Sequence, residues 1–343
     1  MESEKDKAGR KAIEMLRRKS ALHDAASMIQ QLLSGDRTAL SQGITLVEST
    51  AAQHRQLADE MLQACLPHSG KSIRIGITGV PGVGKSTFID AFGMYLIGLG
   101  KKVAVLAIDP SSPVSGGSIL GDKTRMEKLS MNDRAFIRPS PSSSTLGGVA
   151  QKTREIMMLC EAAGYDVIIV ETVGVGQSET AVHGMTDFFL LLMLAGAGDQ
   201  LQGIKRGIME MCDAMLITKS DGENQRAAQR AKGEYFSALH LFPAKESGWM
   251  PVVETCSALG NDGIDRAWET IVKFEEWMTA RGLFEKRRHD QDLEWMRDTI
   301  KQRLISDFFS DAERMKRMVE IEEQLRRREI TPFVAAERIL RAH

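Results

Sequence analysis

Ile73-Arg74-Ile75-Gly76-Ile77-Thr78-Gly79-Val80-Pro81-Gly82-Val83-Gly84-Lys85-Ser86-Thr87 is the stretch on which the fold turns. Ile73–Thr78 is a short apolar run of the kind that makes a buried strand. The middle is G-x-x-x-x-G-K-S, and the end opens a segment with helical spacing, Thr87–Leu99. Strand, glycine-rich turn and helix in that order form a phosphate cradle. The glycines let backbone N–H groups turn inward around phosphate oxygens, and the helix N-terminus adds the positive end of its dipole. Lys85 neutralises charge on the outer phosphates, and Ser86 offers a hydroxyl to Mg²⁺. Gly79, Val80, Pro81, Gly82, Val83, Gly84, Lys85, Ser86 and Thr87 are therefore expected to bind a nucleoside triphosphate.

Further apolar runs lie at Val103–Ile108, Val167–Val170, Phe188–Leu194, Ala214–Ile217 and Val252–Thr255, separated by helical segments. That alternation predicts an α/β fold, a mainly parallel sheet flanked by helices. Residues 1–68 mix charged and apolar residues at helical spacing and read as an N-terminal helical extension. Residues 69–282 form the nucleotide-binding domain. Residues 283–343 are highly charged and poor in β-formers, a C-terminal helical arm expected to serve an interface with a second subunit.

The chain has 343 residues, with Lys+Arg 45 against Asp+Glu 46 and a formal net charge of -1. Such a balance gives no global reason to expect nucleic acid or an anionic membrane as partner. Cys65, Cys160, Cys212 and Cys256 are scattered without metal-ligand spacing, as expected of buried thiols in a reducing compartment. No apolar run reaches the ~18 residues of a membrane span, and the amino terminus lacks the apolar core of a signal peptide. A cytoplasmic, soluble protein is expected.

Ile217-Thr218-Lys219-Ser220-Asp221 closes one of the strands. It resembles the guanine-reading N-K-x-D signature, in which the Asp carboxylate accepts from the N1–H and N2–H₂ donors of guanine. Adenine offers no such pair of donors. Thr218 stands where Asn is usual. Ser257-Ala258-Leu259, after the strand Val252–Thr255, looks like the element that contacts the guanine carbonyl through its backbone. Lys219, Asp221, Ser257, Ala258 and Leu259 are the expected base-side residues, and GTP, with GDP as product, is the expected nucleotide.

Hydrolysis of a phosphoanhydride requires charge neutralisation around Mg²⁺, so carboxylates near the strand ends beside the loop are candidates. Asp109 follows Val103–Ile108, and Asp122 lies in the glycine-rich segment beyond it; either could instead cap a turn. Val167–Val170 delivers Glu171-Thr172-Val173-Gly174, a D-x-x-G-like switch with Glu171 facing the metal and the Gly174 N–H available to the γ-phosphate. Gln177 and Glu179 follow in a polar turn. Arg125 is the candidate for an arginine that stabilises the transition state from within the chain. Asp199–Lys205 could form another loop at the nucleotide.

The ordered set G-V-P-G-V-G-K-S, A-I-D-P-S-S-P, G-G-S-I-L-G-D-K-T-R-M, E-T-V-G-V-G-Q-S-E, L-A-G-A-G-D-x-L-Q-G-I-K-x-G and T-K-S-D resembles the MeaB/ArgK family. Its members are G-protein chaperones of adenosylcobalamin-dependent acyl-CoA mutases such as methylmalonyl-CoA mutase. The resemblance implies a homodimeric P-loop GTPase with helical extensions at both ends, gating cofactor loading and protecting the mutase. It also implies that Asp109, Asp122 and Glu171 join Ser86 as the magnesium site, and that Gly174 and Gln177 belong to the second switch and Asp199–Lys205 to the third. Three other readings stand beside it, the first being a chaperone of a different acyl-CoA mutase. A nickel-insertion GTPase of the hydrogenase or urease type would carry Cys/His metal motifs, which are missing from this sequence. A phosphotransferase acting on a transport component would need ATP preference, against which the guanine elements argue.

Overall fold

The computed structural model describes residues 26–49, 51–108, 126–139, 146–172, 178–196 and 206–341. The chain divides into two compact units, residues 1–288 and 289–343.

The first unit is built on a 7-stranded sheet in the order β3-β2-β4-β1-β5-β6-β7. The strands are β1 (Ile73–Gly79), β2 (Val103–Ile108), β3 (Ala135–Arg138), β4 (Val167–Thr172), β5 (Phe188–Leu194), β6 (Ala214–Thr218) and β7 (Val252–Thr255). Every ladder is parallel. Parallel strands covered by helices on both faces need apolar side chains at odd and even positions alike, and β5 meets that condition. Phe188, Leu190 and Leu192 enter one core with the helices Lys85–Gly98 and Ile264–Ala280. Phe189, Leu191 and Met193 enter the opposite core with the Leu146–Ala162 helix and the N-terminal helices. The α/β fold expected from the alternating pattern is the one observed.

Two differences from the expected strands have simple causes. β3 is only four residues long, sits at the sheet edge and pairs with β2 alone, so no long apolar run announces it. β4 runs on through Glu171 and Thr172 because both stay in register with Ala107 and Ile108 of β2; their polar character hid the continuation.

Ahead of the sheet, residues 26–33 are helical, followed by the helices Arg37–Glu48 and Ala52–Cys65. Asp36 caps the first of these by accepting from the Ala39 N–H at 2.7 Å, the usual use of Asp at an N-cap. Leu40, Ile44, Met61 and Cys65 bury themselves against the Leu146–Ala162 helix side of the sheet. Glu48 pairs with Arg138 at the end of β3. All four cysteines are buried and free.

Leu283–Ser310 is one long helix whose first residues belong to the first unit. Arg288 anchors it: Nε and Nη2 donate to the two Asp187 carboxylate oxygens at 2.8 and 2.7 Å, and Nη2 also reaches the Ser72 carbonyl at 2.6 Å. The Arg74 backbone N–H donates to Asp187, and the Arg74 side chain forks onto buried Glu161 at 2.8 and 3.0 Å. Arg288→Met keeps length but strips the charge, leaving Asp187 buried without its cation. A loss of about 3 kcal/mol or more of unfolding free energy is expected. Urea titration followed by circular dichroism measures it, and a loss below about 1 kcal/mol would show that the helix root is held by packing instead.

The second unit contains the rest of that helix, then Ala312–Arg326 and Pro332–Leu340. Asp311 caps the Ala312–Arg326 helix by accepting from the Glu313 and Arg314 N–H groups at 2.9 and 3.1 Å. Among the described residues no helix is long and apolar enough to cross a membrane.

Candidate functional site

The glycine loop hangs between β1 and the Lys85–Gly98 helix, at the centre of the sheet's C-terminal edge, where ligands of open α/β sheets bind. Gly79 passes so close to β5 that a Cβ there would run into the Leu192 carbonyl oxygen. Gly84 opens the helix at φ 93°, a left-handed conformation that glycine adopts without strain. These two positions explain why the loop needs glycine at both ends.

Lys85, in the first helical turn, is buried. Its Nζ donates to the Gly79 carbonyl at 2.9 Å and the Val80 carbonyl at 3.4 Å, so the ammonium lies folded back across its own loop. Burial lowers its pKa from the ordinary lysine value, and the carboxylates of Glu171 and Glu179 pull it back up. One cation therefore lies in the field of two acids. Ser86, the next residue, points its hydroxyl at Glu171, with Oγ 3.4 Å from Oε1. A hydroxyl and a carboxylate at that separation are hard oxygen donors of the type Mg²⁺ takes, so the residues present fit that ion. Among the described residues no group of three or more His, Cys, Asp or Glu is arranged as a metal cage. A cation at Ser86 and Glu171 would thus need oxygen ligands from elsewhere, as Mg²⁺ bound with phosphates does.

The base side lies one strand further on. Thr218, the last residue of β6, is buried and shares its hydroxyl proton between the Val83 carbonyl at 2.8 Å and the Met193 carbonyl at 3.2 Å. It therefore ties the T-K-S-D corner directly to the phosphate loop. Lys219 follows at φ 55°, and its Nζ donates to the Gly82 carbonyl at 2.9 Å. Asn224 steadies that conformation by donating to the Lys219 carbonyl at 2.7 Å. The Ser257 hydroxyl donates to Asp221 Oδ2 and accepts from the Gly260 N–H at 3.0 Å. Backbone bonds from Ser220 to Cys256 and from Cys256 to Ile217, at 3.1 and 2.9 Å, lace the two loops together. Ala258 is half-buried beside Ser257, whereas the Leu259 side chain is 84% exposed.

Of the residues singled out from the sequence, Gly79–Thr87, Glu171, Lys219, Asp221 and Ser257–Leu259 are gathered along this one edge of the sheet. Asp109, Asp122, Arg125, Gly174, Gln177 and the Asp199–Lys205 segment lie outside the described residues. Two contributors went unread in the sequence. Thr218 looked like a weakened Asn, yet its hydroxyl reaches across to the loop. Glu179 read as part of a polar turn, and it is buried; the apolar Ala181 and Val182 just after it were the available signal.

The central parallel sheet, the G-x-x-x-x-G-K-S loop and the T-K-S-D corner tied to it define a P-loop GTPase. The chain belongs to the MeaB family: the family model described as "Methylmalonyl Co-A mutase-associated GTPase MeaB" matches residues 40–313. It is 51% identical over 288 residues to "GTPase ArgK" of Escherichia coli (strain K12), covering 84% of this chain and 87% of that protein. It is 44% identical over 321 residues to "Methylmalonic aciduria type A homolog, mitochondrial" of Mus musculus, covering 91% of this chain and 77% of that one. A solved structure titled "Crystal structure of LAO/AO transport system kinase" superposes with a TM-score of 0.72 at 41% identity, covering 92% of this chain and 96% of that one.

Proposed function

We propose that this GTPase is the G-protein chaperone of an adenosylcobalamin-dependent acyl-CoA mutase, with methylmalonyl-CoA mutase as its client. It gates cofactor loading and protects the mutase through GTP binding and hydrolysis. The observation that carries this is the family match across residues 40–313, whose description names that mutase. The resemblance to a methylmalonic aciduria type A homolog supports the same client.

In this reading the loop Gly79–Thr87 wraps the phosphates, and Lys85 neutralises charge on the outer ones. Ser86 and Glu171, with Asp109 and Asp122, would hold Mg²⁺, which would supply charge neutralisation to the phosphates. Asp221 accepts from the guanine N1–H and N2–H₂, Ser257 holds its carboxylate in place, and Lys219, Ala258 and Leu259 complete the base site. Gly174, Gln177 and Arg125 act at the γ-phosphate. Hydrolysis by such a switch is slow until a partner orders the loops around the attacking water.

Residues 283–343 act as a dimerisation arm, and the working unit is a cytoplasmic homodimer. Leu293, Met296, Ile300 and Leu304 support this: they repeat along one stripe of the long helix and stay about half exposed or more, as a seam between subunits would require.

The test is to incubate the purified chain with methylmalonyl-CoA mutase and follow adenosylcobalamin loading by absorbance in GTP and in GDP. Complex formation with a nucleotide-dependent change in loading is expected. No complex and no nucleotide effect with any acyl-CoA mutase tried would sink the chaperone role, while leaving the GTPase untouched.

A further inference from the structure

We propose that Glu179 limits how tightly this site holds nucleotide: its carboxylate shares the Lys85 ammonium with the bound phosphates, weakening their grip and speeding their release. The proposal rests on the reading of Gly79–Thr87 as the phosphate site.

The placement follows from the packing of the Ser178–His183 helix. That helix connects two parallel neighbours of β1, so it runs back along the sheet with its first turn at the C-terminal edge. It lies directly on β1. A Cβ on Gly76 would come within 2.7 Å of Val182 Cγ1 and 2.9 Å of Thr186 Oγ1, so only glycine allows that approach. Val182 thus sits over Gly76. Glu179, one turn earlier, is carried toward Gly79, where the loop begins.

Glu179 is 1% exposed, and among the described residues its Oε2 accepts no hydrogen bond. A desolvated carboxylate with a bare oxygen is costly unless a cation compensates it. Lys85 supplies it, its Nζ held 2.9 Å from the Gly79 carbonyl, at the end of the loop toward which Glu179 is carried. Glu171, the other acid acting on Lys85, is engaged by the Ser86 hydroxyl on the metal side. The two carboxylates therefore have different surroundings and different work. Phosphates entering the loop meet a lysine already half-compensated, and they face a buried carboxylate whose Oε2 accepts no hydrogen bond among the described residues. Like charges gathered around one cation in a poorly solvated site repel strongly, so Glu179 acts through Lys85 as a positioning residue that opposes the ligand.

The test is Glu179→Gln in the full chain, with affinity and dissociation rate read from a fluorescent GDP analogue and affinity for guanosine measured alongside. The variant is expected to bind GDP about tenfold more tightly, ~1.4 kcal/mol, mainly through slower release. Guanosine, having no phosphate, should bind the variant and the parent equally. Unchanged or weaker GDP binding by the variant overturns the proposal; weaker binding that depends on Mg²⁺ would assign Glu179 to the metal instead. Equal tightening of guanosine overturns it too, as the mark of a general structural effect. Should Glu179→Gln not fold, Glu179→Met carries the same expectation. A parent that binds no GDP overturns the phosphate-site reading and this proposal together, whereas a parent that binds GDP as its variant does overturns the proposal alone.

Discussion

Lys85→Ala is expected to lower GTP hydrolysis by about a thousandfold or more, measured under single turnover with enzyme in excess. The side chain is the one buried cation of the phosphate loop among the described residues, and the charge it meets grows on the outer phosphates as the bond to the leaving group breaks. Its removal also leaves Glu171 and Glu179 near the phosphates with no ammonium between them. Nucleotide binding should therefore weaken along with the chemical step, and GTP should suffer more than GDP because its terminal phosphate is lost as a partner. Lys85→Arg should not restore activity. The Lys85 Nζ is a compact charge donating to the Gly79 and Val80 carbonyls, and the wider, planar guanidinium fork presents its donors in a different geometry. Hydrolysis by Lys85→Ala above about a tenth of the parental rate, with the fold intact by circular dichroism, would mean that the phosphates are held elsewhere.

The loop was legible because its logic is local. A strand, a glycine turn and a helix follow one another within fifteen residues, and each residue's task is set by its immediate neighbours. The central strands were legible for a related reason: β2 and β5 are apolar on both faces, which only doubly covered parallel strands tolerate. What escaped depends on residues far apart in the chain. Arg288 reads as one more cation in a charged helix, and nothing in its surroundings in sequence points to Asp187, 101 residues earlier. Glu179 reads as part of a polar turn, and its burial comes from Gly76 letting the helix settle onto β1. Thr218 is the sharpest case. Measured against N-K-x-D it is a defect, yet in the folded chain its hydroxyl accomplishes a tie to the Val83 carbonyl 135 residues away in sequence. The departure from the usual signature therefore preserves the link between base corner and phosphate loop.

That link bears on the second large effect. Asp221→Asn is expected to weaken guanine nucleotide binding by about three orders of magnitude. The carboxylate presents two acceptors to two donors on guanine; asparagine replaces one acceptor with an N–H₂ that faces the guanine amino group, donor against donor. Xanthine carries a carbonyl oxygen in place of that amino group, so xanthosine diphosphate should bind the variant better than GDP does. Among the described residues the Asp221 carboxylate is bonded by the Ser257 hydroxyl rather than by the phosphate loop. The ties run from Thr218 to Val83 and from Lys219 to Gly82, and both survive the substitution. Hydrolysis of xanthosine triphosphate at saturation should therefore stay within about tenfold of the parental rate on GTP, separating base choice from catalysis. Competition binding of GDP, ADP and xanthosine diphosphate to parent and variant reads the whole expectation. A parent that does not prefer GDP to ADP, or a variant that keeps that preference, would remove Asp221 from the base site.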